Sequence, residues 1–155
     1  MPQITKGGKF VFGRSRIRDD LSVRFPPQAV DEYKITADQR VYLMTGSKST
    51  GGFCVTRMGL LAPSKLRMIL TENPELFDYS IAPGDFVRYK GRSYCWLPIE
   101  KEGVIRLTPE MMSFLDLRIG MRLLSIRSSD IAFTMGAKGR LPEAADSYEG
   151  EIGEY

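Results

Sequence analysis

Residues 93–129, SYCWLPIEKEGVIRLTPEMMSFLDLRIGMRLLSIRSS, align without a gap with residues 11–47, VFGRSRIRDDLSVRFPPQAVDEYKITADQRVYLMTGS, at a spacing of 82 positions. Five of the 37 aligned pairs are identical, among them Arg24 with Arg106. Ten further pairs are apolar in both segments, so the two segments share a core pattern as well as identities. Self-similarity at a fixed spacing is the signature of a repeated structural unit. The sequence therefore predicts two copies of one fold unit.

Each copy is predicted to run strand, strand, helical turn, strand, strand. The helical turn of the second copy begins at Thr108, a residue type favoured at the N-cap, followed by Pro109 at the first helical position. Aromatic and β-branched residues separated by polar turns predict the strands on either side. The predicted strands are 10–18, 21–25, 40–45 and 52–57 in the first copy and 93–99, 104–107, 122–127 and 131–135 in the second, with helices at 27–33 and 108–115.

The rest of the chain divides into a connector and a tail. The connector, residues 59–92, contains too many apolar residues to stay solvated, so we expect it to pack on the copies, with a helix at 63–70 and a strand at 86–89. The tail, residues 141–155, has five acids and little periodicity, and is predicted to be disordered. The predicted organisation is a first module at 9–58, the connector, a second module at 93–137 and the acidic tail.

The hinge of each copy has a recurrent spacing of proline and apolar residues. It resembles the AbrB/MazE/SpoVT family of small DNA-binding modules, whose pattern is close to Ile-Pro-x-x-x-Arg-x-x-Leu-Gly-Ile-x-x-Gly-Asp-x-Val. Asp38-Gln39 stands where Gly-Asp is usual, and the family's helix arginine falls on Val30 in the first copy and Met112 in the second. The matching residues are Phe25-Pro26, Tyr33, Ile35 and Val41 in the first copy and Leu107, Thr108-Pro109, Leu115, Leu117, Gly120 and Leu123 in the second.

This resemblance implies a mainly β fold with short helices. In it, two swapped-hairpin AbrB-like modules interlock as a pseudo-dimeric double-split β-barrel. One chain would supply both modules, a tandem arrangement similar to MraZ. The chain would then be a monomer with an internal pseudo-dimer or would form a homo-oligomer. The interlock would supply the core that a module of about 45 residues cannot build alone.

Composition excludes several classes of chemistry. Histidine is absent from the 155 residues, which removes the commonest general base near neutral pH and the commonest zinc ligand. The two cysteines, Cys54 and Cys95, are too few for a disulfide framework and are expected to be buried and reduced. No apolar run approaches the roughly 18 residues that span a bilayer. These features predict a cytoplasmic, non-enzymatic protein with no metal, no cofactor and no membrane contact.

Charge is divided unevenly along the chain. Residues 1–140 hold all 22 Lys and Arg and 14 of the 19 acids, a net charge of +8, whereas the tail carries −5. The net charge of +3 is thus the sum of a basic body and an acidic tail, and this division is more informative than the sum. We therefore expect the tail to compete for the basic surface.

The first strand supplies the candidate nucleic-acid contacts. Arg14, Arg16 and Arg18 lie on one face because side chains alternate along a strand, about 7 Å apart and close to the spacing of successive phosphates. Arginine can bind phosphate oxygens in a bidentate manner. The competing interpretation is an edge-strand face whose charges only deter aggregation. Lys9, Arg24 and Arg106 complete the predicted site.

The second copy differs at the equivalent positions, where it has Trp96, Pro98 and Glu100. One copy is therefore predicted to make contacts and the other to pack. The first functional hypothesis is a non-enzymatic transcriptional regulator of the AbrB/SpoVT type that binds double-stranded DNA. The alternative is a protein-interaction or assembly module, antitoxin-like, that keeps the fold without binding DNA and has a protein partner.

Overall fold

Seven strands of the protein form one sheet and two shorter strands form a second, with five short helices on the surfaces. The computed structural model describes residues 10–46, 50–137 and 153–155. A mainly β architecture with short helices is thereby confirmed. In chain order the elements are β1 (Val11–Arg16), β2 (Ser22–Arg24), α1 (Pro27–Tyr33), β3 (Arg40–Thr45), β4 (Phe53–Thr56), α2 (Met58–Leu61), α3 (Met68–Glu72), α4 (Pro74–Phe77), β5 (Val87–Tyr89), β6 (Arg92–Pro98), β7 (Val104–Arg106), α5 (Pro109–Phe114), β8 (Arg122–Arg127) and β9 (Phe133–Gly136).

The elements predicted within the two copies are confirmed to within two residues at each end. Thr108 caps α5 as expected, because its hydroxyl accepts a hydrogen bond of 3.1 Å from the amide of Met111. The helix predicted at 63–70 is wrong in its position. The Ser64 hydroxyl donates to the Leu61 carbonyl and accepts from the Leu66 amide, which holds this stretch in turns. The helix begins only at Met68 and ends at Glu72, before Asn73 and Pro74.

The strand order mixes the two copies. The large sheet runs β1-β8-β9-β4-β3-β6-β5, and β2 pairs with β7 in the small one. Four of the seven antiparallel pairings join one copy to the other: β1 with β8, β3 with β6, β4 with β9 and β2 with β7. The strands of each copy therefore complete the sheet of the other.

The register of these pairings follows an approximate two-fold relation with the spacing of 82. Arg14 lies opposite Leu124, and moving each by 82 positions gives Trp96 and Tyr42, which also lie opposite each other. In the small sheet, Val23 pairs with Ile105, its own counterpart 82 residues later, as a residue on a two-fold axis would. The sequence spacing is thus repeated in the hydrogen-bonding geometry.

Backbone conformation repeats at the same spacing. Lys34 ends α1 with a φ of 50°, and Asp116, 82 residues later, has a φ of 56° after α5. Leu21 and Gly103, also 82 apart, have φ values of 66° and 83°. A positive φ is uncommon outside glycine. Its recurrence at matched positions shows that the two copies turn the chain in the same way.

The large sheet is buried on its inner face and on part of its outer face. Its inner face packs against the small sheet and the helices α1 and α5, in a core centred on Phe133 and Phe25. Part of its outer face is covered by the connector, whose Leu76 and Leu70 pack with Tyr42 and Trp96. These contacts agree with the expectation that the connector packs on the body. Among the described residues, no helix has the length and apolar character needed to cross a membrane.

Both cysteines are buried and free, as expected. They lie on β4 and β6, on either side of β3, where Cys54 faces the outer cluster and Cys95 the inner core. Burial raises the pKa of the Cys95 thiol to about 12. A thiol held neutral in this way is not a nucleophile at physiological pH.

The buried Cys95 thiol predicts that the protein loses stability in alkali. Its pKa lies above the value of 9.0 for an exposed thiol, so the unfolded chain ionises first and the folding equilibrium shifts toward it as pH rises from 9 to 12. We expect a loss of about 1 kcal/mol in the free energy of unfolding between pH 9 and pH 10. Urea denaturation at both pH values would measure it. The same difference in Cys95→Ala would contradict this assignment.

Candidate nucleic-acid interface

The three arginines of the first strand alternate with buried residues. Ser15 and Ile17 are fully buried, whereas Arg16 and Arg18 are exposed and Arg14 is half-buried. The strand itself ends at Arg16, and Arg18 follows in the turn toward β2. The alternation predicted from the sequence is therefore present, and it directs the three guanidinium groups away from the inner core.

A fourth arginine extends this cationic surface. Arg122 at the start of β8 lies directly opposite Arg16, on the same face of the sheet. Like charges directly opposite each other in a sheet are destabilising unless an anion compensates them. Neither Arg16 nor Arg18 has an ion pair with any residue that the structure describes. We call Arg14, Arg16, Arg18 and Arg122 the arginine face.

Arg106, predicted as a contact, is exposed and forms ion pairs with carboxylates of the chain. Its guanidinium lies 3.1 Å from Asp20 and 3.7 Å from Glu100. Hydrogen bonds from the Ser22 hydroxyl and amide, together with Arg106, lower the pKa of Asp20, so this carboxylate stays ionised. The charge of Arg106 is thus largely compensated at its own position.

Arg24, the counterpart of Arg106, has a different environment. It lines an open cavity of about 410 Å³ with two lysines, Lys34 and Lys101, and two acids. Its Nε is buried and has no hydrogen-bond partner among the described residues. Lys9, the remaining predicted contact, lies outside the part of the chain that the structure describes. The predicted site residues are therefore not gathered in one place: the β1 arginines form one surface, and Arg24 and Arg106 lie on the small sheet.

The equivalent face of the second copy is packed at one of its three positions, since Trp96 is buried whereas Pro98 and Glu100 are exposed. Trp96 stands where the first copy has Arg14, and its indole N–H donates to the Ile81 carbonyl at 2.7 Å. Tyr79 of the connector packs against Trp96, and the Arg40 guanidinium lies 4.2 Å from the centre of the Tyr79 ring. Because Arg40 is the counterpart of Arg122, the same strand position contacts an aromatic ring in one copy and a carboxylate, that of Glu154, in the other.

No protein-family model matches the sequence, and no curated protein matches it at a significant level. The function of this chain is accordingly inferred from the site itself.

One element of the site was not foreseen in the sequence. Residues 153–155, at the end of the tail predicted to be disordered, lie parallel to β1. Glu154 is paired with Arg14 through the backbone, as an isolated parallel β-bridge. That expectation is wrong for these three residues, because they pair with the backbone edge of β1 and Glu154 forms an ion pair of 3.2 Å with Arg122. The rest of the predicted tail, residues 141–152, lies outside the described residues. Gly13, in the interior of β1, was the available signal, since glycine in a strand marks close backbone approach.

The acidic and cysteine side chains of the described residues form no metal-binding cluster. No group of three or more Cys, Asp or Glu side chains is placed to hold a metal in residues 10–46, 50–137 and 153–155. The adjacent acids Asp19-Asp20 and Asp31-Glu32 lie on solvated turn and helix surfaces, where Asp20 and Glu32 form ion pairs with arginines. The clearest chemical property of the surface is therefore its arginine face.

Proposed function

We propose that this protein is a non-enzymatic DNA-binding regulator that contacts the phosphates of double-stranded DNA through its arginine face. The observation that supports this most is the pairing of Arg16 with Arg122, directly opposite each other on one sheet face. Such a pair is stabilised by an anion that bridges both guanidinium groups. Arg18 extends the same surface beyond the strand. Phosphate contacts of this kind position a protein on a duplex and dominate its affinity.

We further propose that the two copies are swapped-hairpin modules of the AbrB/MazE/SpoVT type, interlocked as a double-split barrel. The pairing of β1 with β8 and of β3 with β6 supports this, since each strand of one copy finds its partner in the other. The axial pair β2–β7 supports it as well. Val30 and Met112 replace the family's helix arginine, so we assign the phosphate contacts mainly to the arginines of β1.

A salt titration of duplex binding tests the proposed function. Each phosphate contact contributes about 0.9 to the slope of log K against log salt concentration. We expect the double variant Arg16→Ala/Arg18→Ala to reduce that slope by about two and to weaken binding at 100 mM salt by more than tenfold. Fluorescence anisotropy with a labelled duplex of mixed sequence measures both quantities.

The matched control, Arg67→Ala/Arg88→Ala, removes two exposed arginines that lie outside the arginine face. Arg67 lies in the turns before α3, and Arg88 lies on β5, at the opposite end of the large sheet from β1. This control changes net charge equally but leaves the arginine face intact. We expect its slope to stay close to that of the unmodified protein. Equal effects of the two double variants, or no duplex binding at 50 mM salt, would contradict the proposal.

The second candidate function is an antitoxin-like protein-interaction module. One observation favours it: Arg106 is occupied by Asp20 and Glu100, and Met112 is buried, so the second copy offers no equivalent phosphate contact. A module that lost duplex binding would show no salt-dependent affinity, and Arg16→Ala/Arg18→Ala would leave its cellular phenotype unchanged. The same titration therefore separates the two functions.

A further inference from the structure

Residues 153–155, which we call the docked segment, occupy the outer edge of β1 by strand addition. The Arg14 amide donates to the Gly153 carbonyl at 2.7 Å, the Tyr155 amide donates to the Arg14 carbonyl at 2.7 Å, and the Arg16 amide donates to the Tyr155 carbonyl at 3.2 Å. These bonds join the docked segment to the same residues that supply the arginine face. The segment thus lies at the proposed nucleic-acid interface.

The side chains of the docked segment fit this position. Glu154 lies 3.2 Å from the Arg122 guanidinium and so compensates the charge of Arg122, one member of the Arg16–Arg122 pair. Tyr155 packs over Gly13, where an added Cβ would lie 2.7 Å from the ring and 2.9 Å from the Gly153 carbonyl. A glycine with a φ of 150° therefore opens the space that the segment occupies. Glu154 thus pairs with an arginine of the arginine face, and Tyr155 fills the space left by the missing side chain of Gly13.

The second copy shows which element covers the equivalent edge there. The counterpart of β1 is β6, and its outer edge is covered by β5, a strand held by the packed connector. Among the described residues, three cover the edge of β1, Gly153 to Tyr155, through three backbone hydrogen bonds and one ion pair that is about half exposed. Few exposed contacts give a segment a low free energy of local opening. The cover on β1 is therefore the more easily released of the two.

We propose that the docked segment is a releasable strand that shields the arginine face, so that nucleic acid binds only when the segment leaves. This inference rests on the proposed function. The carboxylate of Glu154 holds the place of a phosphate on Arg122, and the strand pairing keeps it there. A simple edge cover, which only prevents aggregation, would leave nucleic-acid affinity unchanged.

Substitution Glu154→Lys in the full chain tests the shield, with Glu110→Lys as its control. Both variants change net charge by two, but Glu110 lies on the surface of α5 and forms no ion pair with a described residue. We expect Glu154→Lys to bind a mixed-sequence duplex about fivefold more tightly than Glu110→Lys at the same salt, the range expected for the loss of an exposed ion pair. Equal affinities of the two variants would overturn the shield.

Amide hydrogen exchange by NMR gives an independent measurement of docking. In the unmodified protein, we expect the amides of Arg14, Arg16 and Tyr155 to be protected, and Glu154→Lys or saturating duplex to increase their exchange. If duplex binds without changing the protection of these amides, the proposed competition between the docked segment and duplex is wrong. Protection that is lost in Glu154→Lys, with no duplex binding in any variant, would refute the proposed function and the shield with it, and leave only the docking contact.

Discussion

Substitution Phe133→Ala is expected to lower the free energy of unfolding by about 3–5 kcal/mol, the range for removing a fully buried aromatic ring. Phe133 has no exposed surface and lies at the centre of the inner core. Its ring centre is 5.2 Å from those of Phe25 and Tyr33 and 6.4 Å from that of Phe12. The ring therefore touches residues of β1, the segment after β2 and α1, all in the first copy, although Phe133 belongs to β9.

Urea denaturation followed by far-ultraviolet circular dichroism measures this loss. Phe77→Ala is the matched control, because Phe77 is the same residue type with 55% of its surface exposed. We expect the control to change the free energy of unfolding by less than about 1 kcal/mol. Similar losses in the two variants would mean that the inner core is not organised around Phe133.

Substitution Trp96→Ala is expected to destabilise the protein by about 3 kcal/mol or more and to leave duplex binding unchanged. Trp96 is buried between the outer sheet face and the connector, donates a hydrogen bond to Ile81 and packs against Tyr79. Arg16→Ala, at an exposed position on the equivalent face of the first copy, is expected to change stability by less than about 0.5 kcal/mol and to weaken duplex binding.

The two variants are thus expected to have opposite effects: Trp96→Ala lowers stability but not duplex affinity, and Arg16→Ala lowers duplex affinity but not stability. Thermal denaturation and the salt titration, performed on the same preparations, measure both. A loss of duplex affinity in Trp96→Ala that exceeds the loss in Arg16→Ala would place the interface in the second copy. An equal loss of stability in the two would refute the division of packing and contact.

The sequence predicted the elements of both copies because each element carries its own local signal. Thr108-Pro109 marks the start of α5, and alternating burial fixes the direction of Arg16. The spacing of 82 also identified Arg122 and Arg40 as equivalent positions. Such inferences need only local chemistry and a repeat.

Two of the remaining features depend on partners far away in the chain. The ion pair of Arg106 is not visible in the sequence, because its carboxylate partner Asp20 is 86 residues away. The docked segment has no periodicity, and its conformation comes from pairing with the edge of β1. The turns at 63–67 have a local cause instead: their apolar spacing resembles that of a helix, but the Ser64 hydroxyl bonds to the backbone of Leu61 and Leu66.

The pairing of β1 with β8 has a consequence for how this protein reaches its native state. Arg16 must meet Arg122, 106 positions later, so a ribosome has made most of the chain before the first strand can find its neighbour. Contacts at such separations slow folding, because chain closure precedes any gain in stability. A chain released early would expose the unpaired edges of β1 and β3, and a second such chain would supply the missing strands. Synthesis of both halves in one polypeptide turns that encounter into an intramolecular event.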